Sequence, residues 1–183
     1  MIKDEKTKRL TRLAMLSAVS VVLVALIHIP IFPTASYLKY DPADIPILIT
    51  TFLYGPGYGV AVTVVVSVIQ GLTVSADGGV IGILMHILAT GAFCLVAGFI
   101  YKAKHTIRGA VIALIAGSLT MAAVMAGCNL LLTPLYTGLS VDAVAAMILP
   151  IILPFNLIKA GINSVITFFI YKPISKLFGH EAQ

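Results

Sequence analysis

Thirty residues decide how this chain is built: "IPILITTFLYGPGYGVAVTVVVSVIQGLTV", residues 45–74. Apolar side chains dominate the stretch, yet "GPGYG" at 55–59 interrupts it with a turn signal strong enough to end any helix. The piece before that turn has about ten residues, or roughly 15 Å of helix. A bilayer's hydrocarbon core is about 30 Å thick. The stretch is therefore either one broken membrane span or two, a short one followed by a full one. The choice sets the number of crossings and the side on which each loop emerges.

The remaining residues supply the charges that make the choice. Of 183 residues, 60% are hydrophobic and only 10% charged, against about a quarter charged in an ordinary soluble domain. Residues 13–31, 58–74, 80–101 and 110–132 read as membrane spans. Residues 143–171 form a longer apolar segment with Pro150 and Pro154 near its start. Proline fits the first turn of a helix and not its interior, so the crossing part is expected from about Leu149, after a loop or short helix. If 45–74 holds two spans, the chain has six and both ends lie on one side. That side collects Lys3, Lys6, Lys8, Arg9, Arg12, Lys102, Lys104, Arg108, Lys172 and Lys176, leaving Lys39 on the other. With a single span, "KAKHTIR" at 102–108 changes sides and the asymmetry breaks. Cytoplasmic flanks collect Lys and Arg. The expectation is an all-α integral membrane protein of the cell membrane, with six transmembrane helices, short loops and both termini cytoplasmic. It forms one membrane-embedded domain over 1–183, with residues 1–10 a basic cytoplasmic tail and 172–183 a C-terminal one.

Several function classes drop out. The net charge of +5 sits mainly at span ends, which is a topology signal rather than a nucleic-acid footprint. The N-terminal apolar run of about 18 residues from Leu13 exceeds a signal-peptide core and no A-x-A-like site follows, so it is read as a retained helix. Cys94 and Cys128 lie in apolar segments without metal-type spacing and read as small buried hydrophobes; no metal site is expected. There is no G-x-x-x-x-G-K-[ST], H-E-x-x-H or G-x-S-x-G motif, and no acidic pair suited to a membrane phosphotransferase. Catalytic residues are therefore none and the chain is not read as an enzyme. The two halves show no inverted repeat of the kind many ion-coupled carriers have.

The short second span has a consequence. Ten residues cannot cross alone, so the loop before it, "YLKYDPADIP" at 37–46, must fill part of the membrane depth. Irregular backbone at that depth is tolerated only against protein or a wet cavity. A pocket open to the outside follows, with this loop as one wall. Polar residues inside the spans are then suspects, because each is costly in lipid unless satisfied. Asn156, Lys159 and Asn163, spaced three and four apart, share one helix face. Lys159 either meets a ligand or pairs with an aspartate. Asn129 near the outer end of the fifth span either contacts ligand or satisfies a helix end, and Gln70 is a weaker ligand candidate. His28 and His86 lack a carboxylate or second histidine at i+3 or i+4 and read as satisfied buried histidines. Asp77 in "SADGG" reads as turn chemistry. Asp41 can cap the second span and Asp44 can neutralise a lysine. In the first span, "AMLSA" at 14–18 places Ala14 and Ala18 four apart, a small-xxx-small pattern open to close helix approach; Ser17 is read as widening that face.

Six short-looped spans, "AMLSA", "YLKYDPADIPILI", "FLYGPGYG" and "PFNLIK" together resemble the substrate-binding (S) components of energy-coupling factor (ECF) vitamin transporters. The Asp-Pro-x-Asp-Ile-Pro loop and the Asn-x-x-Lys of the last span look most like the riboflavin-specific branch. The resemblance spans essentially the whole chain. It implies high-affinity capture of riboflavin from outside, with a transmembrane coupling subunit and two cytoplasmic ATPase subunits as partners beside the bilayer. It implies docking through Ala14 and Ala18, and toppling of the whole S component in the membrane. It also implies substrate contacts at Leu38, Lys39, Tyr40, Asp41, Asp44, Asn129, Asn156 and Lys159. Family members often carry Lys-Asn near the end of the third span and Asn in the fourth, where this chain has Ile69-Gln70 and Met85-His86. No cofactor is expected; riboflavin is the transported ligand, with FMN an open alternative because lysines lie near the pocket. The competing readings are an S component for another vitamin, such as thiamine or pantothenate, and a self-sufficient proton-coupled carrier using His28 or His86.

Overall fold

The computed structural model describes residues 2–35 and 38–178. Among them are seven α-helices: α1 Ile2–Leu26, α2 Asp44–Tyr54, α3 Pro56–Leu72, α4 Gly79–Ala103, α5 Ile107–Thr137, α6 Val141–Met147 and α7 Leu153–Leu177. Tyr37, the first residue of the loop singled out above, lies outside the described residues, as do 179–183 of the expected C-terminal tail. The α6 and α7 helices run on through a π-helical turn, Ile148–Ile152, so the described residues form six helical segments. Four are long and apolar enough to span a bilayer, while α2 and α3 are shorter.

The 45–74 stretch divides where its glycines demand. Gly55 sits at φ 96° between α2 and α3, a backbone region that L side chains rarely enter. Pro56 follows in the first turn of α3, where its missing N–H costs nothing. Against that turn α4 approaches closely. A Cβ at Gly98 would come within 2.7 Å of the Pro56 Cβ and 2.9 Å of its Cα. The 11 residues of α2 rise about 17 Å at ~1.5 Å each, roughly half a bilayer core. Every residue from Asp44 to Phe52 is buried, because α1, α3, α4 and α7 all pack around it. The principal core forms about this axis, with Ile47 and Leu48 of α2 against Val24 of α1, Val66 of α3, Phe93 of α4 and Ala160 of α7.

Basic side chains gather at one end. Arg9 of α1 lies 4.9 Å from the Tyr58 ring at the start of α3, and Arg12 lies 5.3 Å from Phe178, just past α7. At the same end Phe52 stacks on Tyr101 at 4.4 Å and meets Tyr171 edge-on at 5.5 Å. The charge segregation read from the sequence is thus a property of the folded bundle, with Lys39 at the far end.

Three local expectations change. Residues 2–10, read as a tail, are helical and continuous with the first span; ion pairs from Lys8 to Asp4 and Glu5 at 2.9 and 3.6 Å staple them. The first span ends at Leu26 rather than 31, because Pro30 and Pro33 follow and the residue before a proline avoids helical backbone. There Ile29–Pro30 pairs antiparallel with Lys39–Tyr40, clasping the two ends of the loop. The last span agrees with its reading: the short helix α6 precedes it, Pro150 is carried in the π-helical turn from Ile148 and Pro154 in the first turn of α7. Ser17 is buried, with its hydroxyl on the Leu13 carbonyl at 2.9 Å, while Ala14 and Ala18 are exposed, so Ser17 does not widen their face. Ala76–Gly78 forms a 3₁₀ turn as expected of "SADGG"; the Asp77 side chain is outside the described set.

Gly98→Leu is expected to force α3 and α4 apart and lower stability by about 1–3 kcal/mol. Gly91→Ala, whose Cβ would meet nothing within 4 Å, should be neutral or stabilising. Thermal unfolding in detergent compares the two; equal melting temperatures would show that the α3–α4 contact is not tight.

Candidate functional site

Opposite the basic end, a cavity of about 200 Å³ opens among the loop before α2, α3, α4, α5 and α7. Its apolar walls include Leu38, Ile83, Met85, Ala89, Met121, Met125 and Phe155. Its polar lining includes His28, Lys39, Asp41, Ser67, Gln70, His86, Asn129, Tyr136, Asn156 and Lys159. Behind this lining lies a buried charge cluster that joins residues more than a hundred positions apart.

Lys159 of α7 anchors the cluster. Its Nζ lies 2.7 Å from Asp41 Oδ2 and 3.9 Å from Asp44 Oδ2, and the residue is only 7% exposed. Asp41 Oδ1 accepts from the Ala43 N–H at 3.1 Å, closing an Asx-type turn just before α2. The helix cap itself is Ala43 without a side-chain bond, so Asp41 shapes the approach to α2 rather than capping it. Asp44 opens α2, where a carboxylate suits the helix dipole. Its Oδ1 accepts from Thr90 Oγ1 at 2.9 Å and lies 3.1 Å from His86 Nε2; its Oδ2 accepts from Asn163 Nδ2 at 3.3 Å. Because a carboxylate only accepts, His86 Nε2 carries the proton in that contact. Its Nδ1 lies 2.6 Å from Ser67 Oγ. Asn163 also donates to the Asp41 carbonyl at 3.2 Å and accepts from Tyr40 Oη at 3.1 Å. Burial, and then the adjacent Asp41 charge, push the Tyr40 phenol above its ordinary value, so it stays a donor.

The two asparagines expected to contact a ligand are held from below. Asn156 Nδ2 donates to the Ile152 carbonyl at 2.8 Å, at the π-helical turn. Asn129 Nδ2 donates to Met125 O at 2.8 Å and its Oδ1 accepts from Thr133 at 2.9 Å. Both are essentially fully buried and both line the cavity. Gln70 lines it too, and its buried Oε1 has no hydrogen-bond partner among the described residues.

Of the eight residues singled out in the sequence, Leu38, Lys39, Asp41, Asn129, Asn156 and Lys159 line the cavity; Tyr40 and Asp44 stand behind it, bonded within the cluster. Both roles considered for Lys159 are compatible with its position, since it pairs with aspartates and borders the cavity. Sequence spacing missed His86 as a cluster member, because its carboxylate partner lies 42 positions away on α2 and not at i+3 or i+4. Met121, Met125 and Phe155 carried no signal distinguishing them from other apolar helix residues. Cys94 is fully buried, its Sγ 3.8 Å from Thr63 Oγ1, consistent with a packing role.

Comparisons with known proteins bear on this geometry. Residues 8–171 match the family described as ECF transporter, substrate-specific component. The chain is 32% identical over 149 residues to "Riboflavin transporter FmnP" of Bacillus subtilis (strain 168), covering 77% of this chain and 78% of that protein. It is 31% identical over 153 residues to "Riboflavin transporter RibU" of Staphylococcus aureus (strain TCH60), covering 80% and 79%. Among solved structures, an S component of a bacterial ECF transporter superposes with a TM-score of 0.80 at 31% identity, over 94% of this chain and 98% of that one. A biotin S component superposes with a TM-score of 0.63 at 20% identity, over 94% and 95%, which speaks to fold alone. With its apolar helices this is a multi-pass protein of the cell membrane. Fold, cavity and sequence agree: the chain belongs to the family of substrate-specific (S) components of ECF transporters.

Proposed function

We propose that the cavity binds riboflavin at the outer face of the cell membrane, for delivery by an ATP-driven ECF module. In this reading both termini are cytoplasmic, because the end that carries Arg9, Arg12, Lys102, Lys104 and Arg108 is the positive one. The observation that carries the proposal is the cavity itself: apolar walls with a few converging amides, the pattern that suits a flat ring with one polar edge. Asn129 and Asn156 offer amide groups to the pyrimidine edge or the ribityl hydroxyls. The partnerless Gln70 Oε1 favours a ligand with N–H or O–H donors, and riboflavin has both. The naming of two relatives as riboflavin transporters supports the same ligand.

The charge cluster favours riboflavin over FMN. The Lys159 ammonium is committed to Asp41 and Asp44, and a phosphate brought nearby would meet two carboxylates along with it. The cavity volume, about 200 Å³, is below the roughly 300 Å³ at which sites for drug-sized ligands begin. Riboflavin entry is therefore expected to widen the cavity. Transport requires the coupling subunit and two ATPase subunits, with Ala14 and Ala18 on the exposed side of α1 as the docking surface.

Flavin fluorescence quenching on purified protein tests the ligand. Riboflavin is expected to bind at least tenfold more tightly than FMN, and far more tightly than thiamine, pantothenate or biotin. No quenching by riboflavin would refute the assignment. Asn156→Ala should weaken riboflavin binding about tenfold, roughly 1.4 kcal/mol. Lys159→Ala strands two buried carboxylates and should cost about 3–5 kcal/mol of stability as well as affinity; Lys159→Gln, which keeps a donor for Asp41, separates the two effects. Ala14→Phe with Ala18→Phe should leave riboflavin affinity unchanged and abolish uptake in cells, and normal uptake would remove α1 as the docking face.

A further inference from the structure

Two clefts away from the cavity meet at a pair of phenylalanines. The first runs along the seam between α5 and α7, from Val111 to Leu119 and from Gly161 to Phe169, and encloses about 460 Å³. Its polar residues are satisfied: Ser118 donates to the Leu114 carbonyl at 2.7 Å and pairs with Ser164 at 3.1 Å. The eight steps from Val111 to Leu119 of α5, at ~1.5 Å each, make a slot about 12 Å long. The hydrocarbon depth of one leaflet is about 15 Å, half of the bilayer core. The second cleft, about 240 Å³, shares Phe168 and Phe169 with the first and continues past them to Thr106, Tyr171 and Lys172. Thr106 Oγ1 accepts from the Gly109 N–H at 3.0 Å, which leaves its O–H free to donate. Lys172 is exposed and forms no ion pair among the described residues. Residues 101–110 and 168–178 together contain Lys102, Lys104, Arg108, Lys172 and Lys176, with no Asp or Glu.

We propose that this continuous groove binds one anionic phospholipid from the leaflet at the basic end of the bundle. One of its two acyl chains lies in the α5–α7 slot and passes from the headgroup cleft toward the bilayer interior over Phe168 and Phe169. Its phosphate is held by the Lys172 ammonium and the Thr106 hydroxyl. The slot alone would accept any acyl chain; the uncompensated cations at its mouth select negative headgroups, as basic pockets at helix ends do. The site is separate from the vitamin cavity and from Ala14 and Ala18, and does not depend on which vitamin is carried.

Native mass spectrometry of the full-length, delipidated protein tests this with dioleoylphosphatidylglycerol and dioleoylphosphatidylcholine. One phosphatidylglycerol is expected to be retained, at least fivefold in preference to phosphatidylcholine. Lys172→Gln should bring that ratio close to one, and Lys172→Arg should preserve it. Gly161→Leu should reduce retention of both lipids, because a Cβ there meets no atom within 4 Å and the new side chain projects into open space at the slot. Size-exclusion profiles check that each variant stays folded. Equal retention of the two lipids by the unaltered protein, or an unchanged ratio in folded Lys172→Gln, overturns the proposal.

Discussion

Lys159 holds the cavity end of the bundle together by sitting between two carboxylates where water is scarce. Asp41 belongs to the loop before α2 and Asp44 to the first turn of α2, so a single ammonium on α7 fixes both across 118 and 115 positions of sequence. A charge buried without its partner is severely penalised in a membrane. The loop therefore cannot wander away from α7 without exposing an uncompensated ion. Asn163 adds to this by bonding the loop at the Asp41 carbonyl and Tyr40, and the helix at Asp44. Through His86, Thr90 and Ser67 the same cluster reaches α4 and α3.

That constraint explains how a helix of 11 residues can serve in a membrane bundle. The second helix covers only about half the bilayer depth, and the remaining depth above it is occupied by a polar loop clamped in place. Nearly all of α2 is buried, so its neighbours supply the apolar surroundings that lipid supplies elsewhere. The cavity lies where the loop, the long helices and the charge cluster meet. Charges form its back wall and methionines, leucine and phenylalanine much of the rest. An S component must hold its substrate inside a membrane, and this division separates the two tasks. The cluster keeps the loop in position, while the asparagines and apolar walls remain available to a ligand.

Much of the architecture was legible beforehand because it rests on local chemistry. "GPGYG" ends α2 whatever surrounds it, since Gly55 adopts a positive φ and Pro56 begins a new helix. Lys and Arg flank the spans at one end, and the folded bundle collects them there. The 156–159–163 stripe was visible from helical spacing alone, and all three residues are buried on the inner face of α7. Spacing failed wherever a partner came from another helix. His86 looked isolated because its carboxylate is on α2, and Ser17, read as widening the face of Ala14 and Ala18, is turned inward. Pro150 is accommodated in a π-helical turn, a detail that proline rules anticipate only as a disturbance.

By itself the sequence determined the number of helical segments, their order, the break within residues 45–74 and the polar stripe on the last helix. Each depends on hydrophobicity, charge or backbone preference within a few neighbouring residues. Only the tertiary structure decided that Lys159 is spent on Asp41 and Asp44, that Tyr40 and Asp44 stand behind the cavity, and that Gln70 has an acceptor to spare. Those facts depend on which helices become neighbours. A pairwise hydrogen bond or ion pair acts over about 3 Å, and no one-dimensional pattern encodes a distance between residues more than a hundred positions apart.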